Sequence, residues 1–275
     1  MPHSGDDIMG KKVTVSTLLK RYRENEKLVM LTAYDSPSAR MAANAGIDFL
    51  LVGDSVAMTT LGHSSTIPAT MEDMLHHAAA VRRGAPDSFV VCDMPFMSYQ
   101  ADTAEAMRNA ARFLKEAGGD AVKLEGGAEV APLIEKLVSS GIPVVAHMGL
   151  MPQHVNAAGG YKVAGRSADE ADRISYEAGI IAKAGAFALV LECVPSALGK
   201  RITEELEIPT IGIGSGNNCS GQVQVWHDIL GLSGDFLPRH AKRYLDAGKM
   251  IESALAQYAG EVKNSSFPTA ENSFE

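Results

Sequence analysis

One sequence pattern recurs along the chain and limits the possible folds. A helix-like segment ends at a glycine, and a short apolar run follows that ends at a polar residue. Four places show it clearly, at Gly46, Gly119, Gly141 and Gly185. Glycine fits after a helix because it adopts the left-handed conformation at little cost. Apolar runs without alternation suit strands that are covered on both faces. The pattern therefore predicts helices that alternate with the strands of a parallel sheet.

Eight apolar runs fit this pattern: 28–33, 49–52, 89–92, 121–125, 143–147, 188–192, 209–213 and 223–226. Helix start signals lie between the runs. Two of them are Asp102 with Glu105 and Ser167 with Glu170, each spaced as an N-cap and the residue three positions later. Eight such units in about 250 residues match a (β/α)₈ TIM barrel better than an open sheet.

The segments outside these units extend the barrel without adding a domain. An amphipathic segment from Val15 to Glu24 precedes the first strand and is predicted to cap the N-terminal end of the barrel. The stretch from Arg239 to Val262 is predicted to form a long final helix, followed by a polar tail. Because no linker-like composition interrupts the chain, we predict a flexible extension over 1–12 and one domain over 13–275.

The charge balance excludes some classes of function. Lys and Arg total 25 against 33 Asp and Glu, a formal charge of −8 that disfavours binding to nucleic acid or to an anionic membrane surface. The apolar runs are far shorter than the roughly 20 residues of a membrane helix. The N-terminus has no apolar secretory core, so a cytoplasmic location is expected. Three cysteines without CxxC spacing indicate neither a disulfide framework nor a zinc site.

Polar residues at the strand ends are the candidates for function, because a barrel of this kind builds its active site there. These residues are Asp54, Asp93, Lys123, Glu125, His147, Glu192 and Asp228. Any one of them could be an acidic helix cap in solvent. The set as a whole is costly to bury without partners or a metal, so it indicates a functional site.

The ligand types indicate which metal would suit this site. Lys123 and Glu125 are two positions apart on one strand, so both should face the barrel interior, where they could also form a purely structural ion pair. The candidate metal ligands are all carboxylates, which suits Mg²⁺ and disfavours zinc. His147 is predicted to donate a hydrogen bond to an anionic substrate or to a neighbour rather than to bind metal.

Two glycine-rich segments remain open to more than one interpretation. Residues 211–216 resemble the late strand and loop where many barrels bind phosphate, but glycine also permits a tight turn. Residues 159–166 form a polar stretch that could be a lid, an oligomer contact or a plain surface loop.

Several short motifs together resemble one family. They lie at 51–55, 62–63, 80–85, 93–96, 122–127, 159–163 and 191–195. In this order they are similar to ketopantoate hydroxymethyltransferase, also called 3-methyl-2-oxobutanoate hydroxymethyltransferase. The resemblance extends from about Val13 to the tail.

The resemblance implies a transferase of pantothenate biosynthesis. Such an enzyme moves a hydroxymethyl group from 5,10-methylenetetrahydrofolate to 3-methyl-2-oxobutanoate, through a Mg²⁺-stabilised enolate, and forms 2-dehydropantoate. The implied fold is a (β/α)₈ barrel of the phosphoenolpyruvate/pyruvate-domain type. The implied partners are a 2-oxo acid, folate and further copies of the chain, in a homo-oligomer that would be a decamer.

The same resemblance assigns roles to the strand-end residues. Asp54 and Asp93 would hold Mg²⁺, with Glu125 completing the site directly or through water. Glu192 would be the catalytic acid or base. The residues expected to contact substrate are Asp54, Ser55, Asp93, Lys123 and His147.

Two other functions remain open, and three positions differ from the family pattern. A lyase or mutase of the phosphoenolpyruvate-type barrels would share the Mg²⁺-stabilised enolate, but it would need its own acid/base loop, commonly with a cysteine. A non-catalytic barrel that binds a phosphorylated ligand would not need four acidic strand ends. The chain departs from the family pattern at Met151, Ala164 and Ser215, away from the expected metal and acid/base positions.

Overall fold

The computed structural model describes residues 12–234 and 236–274. It divides into two compact units, one ending at Gln224 and the other beginning at Val225. The first unit contains a closed barrel of eight parallel strands in chain order, with helices between them, as predicted. Of the predicted N-terminal extension, residues 1–11 lie outside the described residues. The single domain over 13–275 stays a prediction.

The strands pair with their neighbours in sequence, and the eighth pairs with the first to close the barrel. Their bounds are β1 Leu28–Thr32, β2 Phe49–Val52, β3 Phe89–Asp93, β4 Ala121–Glu125, β5 Val144–Gly149, β6 Ala188–Glu192, β7 Thr210–Ile213 and β8 Gly221–Gln224.

Helices precede, connect and follow the strands. They are α1 Val15–Arg23, α2 Ser36–Asn44, α3 Val56–Thr59, α4 Met71–Gly84, α5 Thr103–Lys115, α6 Ala131–Ser139, α7 Val155–Ala158, α8 Ala168–Lys183, α9 Ser196–Glu205, α10 Trp226–Ile229 and α11 Ala247–Lys263. Short 3₁₀ turns lie at Ala128–Val130, Pro152–His154 and Ala270–Asn272.

Two of the helix starts have the caps that the sequence predicts. The backbone N–H of Glu105 donates to Asp102 Oδ1 at 2.8 Å, and that of Glu170 donates to Ser167 Oγ at 3.3 Å. Each side chain satisfies a donor that the first turn of a helix otherwise leaves unpaired.

Apolar side chains fill the barrel interior near the N-terminal ends of the strands. Phe89 packs edge to face against Phe49 at 5.9 Å and against Phe187 at 5.7 Å between ring centroids. Leu18 of α1 is fully buried in the same cluster, and Tyr22 packs against it. Because these rings lie near the starts of their strands, α1 covers the N-terminal end of the barrel, as predicted.

The same interior face carries the polar strand ends. Side chains two positions apart on a strand share a face, so the face that buries Phe89 and Val91 continues to Asp93. By the same rule, Ala188 and Val190 lead to Glu192. The apolar interior therefore ends in charged groups at the C-terminal rim.

The last strand differs from the sequence prediction. β8 runs over Gly221–Gln224 instead of 223–226, and Trp226 begins α10. A Cβ atom on Gly221 would lie 2.2 Å from the carbonyl oxygen of Leu28. The strand therefore needs glycine to approach β1, and this polar start has no apolar signature in the sequence.

The final helix begins later than predicted, at Ala247 instead of Arg239. The backbone N–H of Tyr244 donates to Ile229 O at 2.7 Å, and that of Ala247 donates to Leu230 O at 2.9 Å. These bonds to the α10 turn replace helical ones. Of the helices in the described residues, none is long and apolar enough to cross a membrane.

Candidate active site

Strand register brings the polar strand ends together. Asp93 on β3 lies directly beside Lys123 on β4. Two positions further along β4, Glu125 lies beside His147 on β5. With the acid that follows β2 and the last residue of β6, these side chains form what we call the strand-end cluster: Asp54, Asp93, Lys123, Glu125, His147 and Glu192.

One half of the cluster centres on Asp93. Its Oδ1 lies 3.0 Å from Lys123 Nζ, and its Oδ2 accepts the backbone N–H of Asp54 at 3.0 Å. Burial raises the pKa of Asp54 to about 8, and the charges of Asp93 and Glu125 add to this effect. Burial alone would lower the pKa of Lys123, but the carboxylates around it outweigh burial and raise this pKa. Lys123 is therefore a permanent cation in this half.

The other half centres on His147. Its Nδ1 lies 3.3 Å from Glu125 Oε1, and its Nε2 lies 3.2 Å from Glu192 Oε2. Burial and the nearby charge of Lys123 both act to lower the pKa of His147, but the two carboxylates prevail and raise it to about 9. His147 is therefore a cation at neutral pH, placed between two acids. Glu192 is the more accessible of these acids, with 17% of its side chain exposed against 1% for Glu125.

Ser55 lies at the edge of the cluster, directly after Asp54. Its hydroxyl is 2.8 Å from the Tyr34 hydroxyl, a group whose pKa burial raises to about 12. Ser55 is half-buried, so its hydroxyl can contact a small ligand at the rim. Substrate binding by Ser55 stays a prediction.

Asp228 is the strand-end candidate that falls outside the first compact unit. It lies in the second compact unit, in the short helix α10, where its Oδ1 accepts the Ser233 hydroxyl at 2.8 Å. Its position follows from the earlier end of β8. The acid lies within α10 and is not a strand-end residue.

Sequence reasoning missed two polar residues of the site, Gln153 and Tyr99. Gln153 donates from Nε2 to Asp54 Oδ2 at 2.9 Å, and the Tyr99 hydroxyl accepts the backbone N–H of Glu125 at 3.0 Å. Both side chains are almost fully buried. They lie in the loops after β5 and β3, where no periodicity distinguishes a buried polar residue from an exposed one.

The donor set fits a divalent cation. Oδ1 of Asp93 and Oε1 of Glu125 are buried, and each has one cation beside it, Lys123 or His147. A carboxylate oxygen has two lone pairs, so each of these oxygens can still bind a metal. When all groups are ionised, the four carboxylates against two cations leave a formal charge of −2. Within residues 12–234 and 236–274, no three acidic, histidine or cysteine side chains converge on one metal position. Mg²⁺ commonly takes only one or two carboxylates and keeps its waters, which Asp54 and Asp93 can supply.

A cavity of about 550 Å³ lies at the loops that follow β4 and β5, and its lining includes none of the six side chains of the strand-end cluster. Its lining includes Gly126, Leu150, His154, Tyr161, Ile174 and Glu177. The backbone N–H of Leu150 donates to the carbonyl oxygen of Glu192 at 2.8 Å, which joins this wall of the cavity to the end of β6. Two of the departures from the family pattern, Met151 and Ala164, also line the cavity.

The 159–166 loop lies over this region. Tyr161 reaches Met58 of α3, with 3.9 Å between the hydroxyl oxygen and the sulfur. The loop after β5 therefore extends to the helix that follows β2. Burial raises the pKa of Tyr161, and the charges of Asp54 and Glu192 add to this effect, so the phenol lies within electrostatic reach of the cluster.

Comparison with known proteins identifies close relatives of the whole chain. The family model described as ketopantoate hydroxymethyltransferase matches residues 12–270. A protein from Carboxydothermus hydrogenoformans named 3-methyl-2-oxobutanoate hydroxymethyltransferase is 56% identical over 263 residues, which cover 96% of this chain and 95% of the relative.

Solved structures share the fold at much lower identity. Phosphoenolpyruvate phosphomutase from Streptomyces platensis subsp. rosaceus superposes with a TM-score of 0.60 at 16% identity, covering 92% of this chain and 88% of that one. A 2,3-dimethylmalate lyase, a member of the PEP mutase/isocitrate lyase superfamily, gives 0.55 at 13% identity, covering 93% and 88%. These matches show that the chain shares the barrel fold of these structures.

The raised pKa of Asp54 would make the predicted cation binding dependent on pH. At pH 7 the carboxyl is mostly protonated in the metal-free protein, since its pKa is about 8, and a bound cation would displace that proton. We expect Mg²⁺ binding to release close to one proton at pH 7. The release should shrink towards pH 9, where the proton is already lost. Calorimetry in buffers of different ionisation enthalpy measures this number, and a release that is absent at pH 7 or grows with pH would contradict the assignment.

Proposed function

Because this chain belongs to the ketopantoate hydroxymethyltransferase family, we propose that it transfers a hydroxymethyl group to 3-methyl-2-oxobutanoate in pantothenate biosynthesis. The observation that carries the proposal is identity of 56% to a relative of that name over nearly the full length of both chains. The strand-end cluster supplies the acids and cations that such a reaction needs.

The proposed donor is 5,10-methylenetetrahydrofolate, and the proposed metal is Mg²⁺. Asp54 and Asp93 would hold Mg²⁺, with Glu125 contributing directly or through water. When bound, the metal would stabilise negative charge on the keto oxygen of the substrate.

Substrate binding follows from the cations of the site. A 2-oxo acid carries a carboxylate, and Lys123 supplies positive charge in a protein that is acidic as a whole. The half-buried Ser55 hydroxyl can donate a hydrogen bond to the same substrate. Both groups would orient the keto acid with its C3 atom towards Glu192.

Proton transfer is assigned to Glu192. Its carboxylate is the more exposed partner of His147 and lies at the end of β6, where a substrate can reach it. Glu192 would take the proton from C3, while the His147 cation at 3.2 Å stabilises the carboxylate before transfer. C3 would then bond to the methylene carbon of the donor as one of its two C–N bonds breaks, and water would break the second C–N bond and leave its oxygen as the new hydroxyl group. The C3 proton and one proton of the water would pass to the two nitrogens, and tetrahydrofolate would leave.

Further copies of the chain are the proposed partners. α11 has no buried residue in its own unit and exposes apolar side chains on one face: Met250, Ile251, Leu255, Tyr258 and Val262. A stripe of this kind on one helix face is typical of a surface that packs on another helix. We propose that the chain forms a homo-oligomer, a decamer by family resemblance.

Exchange of the C3 proton tests the proposed reaction. With 3-methyl-2-oxobutanoate in D₂O and no folate, we expect Mg²⁺-dependent loss of the C3–H signal in NMR spectra. Asp93→Ala should abolish the exchange, whereas Asp87→Ala, at an exposed site before β3, should leave it unchanged. Addition of 5,10-methylenetetrahydrofolate should yield 2-dehydropantoate. Exchange without this product would favour a lyase or mutase, and no exchange would favour a non-catalytic barrel.

Replacement of the proposed base separates chemistry from binding. Glu192→Gln should lower kcat by about 10²- to 10⁴-fold and leave keto-acid affinity largely unchanged, because the amide cannot accept the proton. Steady-state kinetics and equilibrium binding measure the two effects, with the exposed Glu204→Gln as matched control. A defect confined to affinity would refute the proton-transfer role.

A charge on the apolar face of α11 tests the oligomer. Leu255→Lys should reduce the mass measured by light scattering after size exclusion, since it places a charge within the stripe. Ala256→Lys, on another face of the same helix at about 100° per residue, should keep the wild-type mass. A wild-type protein that is monomeric at micromolar concentration would contradict the proposal.

A further inference from the structure

A single loop residue, Gln153, connects two acids of the cluster. It lies in the 3₁₀ turn after β5 and is only 3% exposed. Its Nε2 donates to Asp54 Oδ2 at 2.9 Å and to the carbonyl oxygen of Met94 at 2.9 Å. Its backbone N–H donates to Glu125 Oε2 at 3.1 Å. Gln153 therefore contacts one carboxylate through its side chain and another through its main chain.

The surroundings fix the orientation of this amide. The Met94 carbonyl oxygen can only accept, so the atom that faces it must be the nitrogen of Gln153. At the other end, Gln153 Oε1 lies 3.0 Å from the Tyr99 hydroxyl and 3.0 Å from Gln100 Nε2. The amide is thus held at both ends and cannot rotate without losing hydrogen bonds in a buried site.

Tyr99 extends this support to the backbone of β4. Its hydroxyl lies 3.0 Å from both the N–H and the carbonyl oxygen of Glu125. The same oxygen contacts Gln153 Oε1. The side chain and the main chain of Glu125 are therefore both tied to the Gln153 turn.

We propose that Gln153 is a positioning residue that sets the orientations of Asp54 and Glu125 for the divalent cation, an inference that rests on the proposed function. The amide hydrogen bond holds one oxygen of the Asp54 carboxylate and leaves the other for a ligand. The backbone bond holds Oε2 of Glu125, while Oε1 faces His147 at 3.3 Å and keeps a second lone pair for a ligand.

The size of the effect follows from the role. Groups that orient metal ligands without touching the metal typically change metal affinity by about 10- to 100-fold when they are removed. A neutral amide suits this position because it donates to a carboxylate without adding a positive charge. A positive charge there would offset the four acids that the metal needs. The bound metal can itself restore the orientation of its ligands. Removal of Gln153's amide should therefore weaken metal affinity, while turnover should recover once the site is saturated with metal.

Titration with Mn²⁺, followed by the EPR signal of the free ion, tests the proposal without substrate. Gln153→Met keeps the length of the side chain and removes both of its hydrogen-bonding ends. We expect its Kd for Mn²⁺ to rise by at least about 10-fold. Gln100→Met is the matched control, because it removes one exposed contact of the same amide and leaves the hydrogen bonds of that amide to Tyr99, Met94 and Asp54 in place. Its Kd should remain within about 3-fold of the wild-type value.

Activity at saturating metal separates positioning from a general structural defect. We expect the kcat of Gln153→Met to return to within about 3-fold of wild type at high Mg²⁺. Should this variant fail to fold, Tyr99→Phe is the deciding variant. It removes the hydroxyl that contacts both Gln153 and Glu125, so it should also weaken Mn²⁺ binding.

The outcomes distinguish this inference from the proposed function. Wild-type exchange of the C3 proton together with unchanged Mn²⁺ affinity in the deciding variant would overturn the role of Gln153 alone. Equal losses in Gln153→Met and Gln100→Met would also overturn it, because they would reflect the loop as a whole. A wild-type protein that binds no Mn²⁺ would overturn both.

Discussion

A carboxylate removed from water must meet a cation or a hydrogen-bond donor, and the strand-end cluster meets this requirement only in part. Lys123 lies beside Asp93, and His147 lies between Glu125 and Glu192. Asp54 is left with the neutral amide of Gln153 and a pKa raised to about 8. The negative charge that remains is what a divalent cation would neutralise. The proposed chemistry and the role of Gln153 both depend on it.

The barrel and most of the cluster follow from regularities that a single sequence displays. The glycine that ends each helix and the apolar run after it mark the units of a parallel barrel. On a strand, a period of two places Lys123 and Glu125 on one face, and that face is the interior because the apolar residues before them are buried there. Register then adds the neighbours, since Glu125 pairs with His147. A polar residue at the end of an apolar run is therefore an informative signal in this fold.

Other parts of the structure have no such regularity. Gln153 and Tyr99 lie in loops, where position depends on long-range contacts that neither propensity nor periodicity encodes. β8 begins at Gly221 because close approach to β1 requires glycine, and its polar residues conceal the strand. α11 begins late because backbone groups near Tyr244 bond to the α10 turn. In each case a tertiary contact prevails over the local pattern.

The most direct test of this account is a crystal structure of the protein soaked in Mn²⁺, with the ion located by its anomalous scattering. The account predicts one strong peak within the strand-end cluster, bonded to carboxylate oxygens of Asp54 and Asp93, with Gln153 still in contact with Asp54. A cluster without a peak, or an ion bound only elsewhere on the protein, would contradict it.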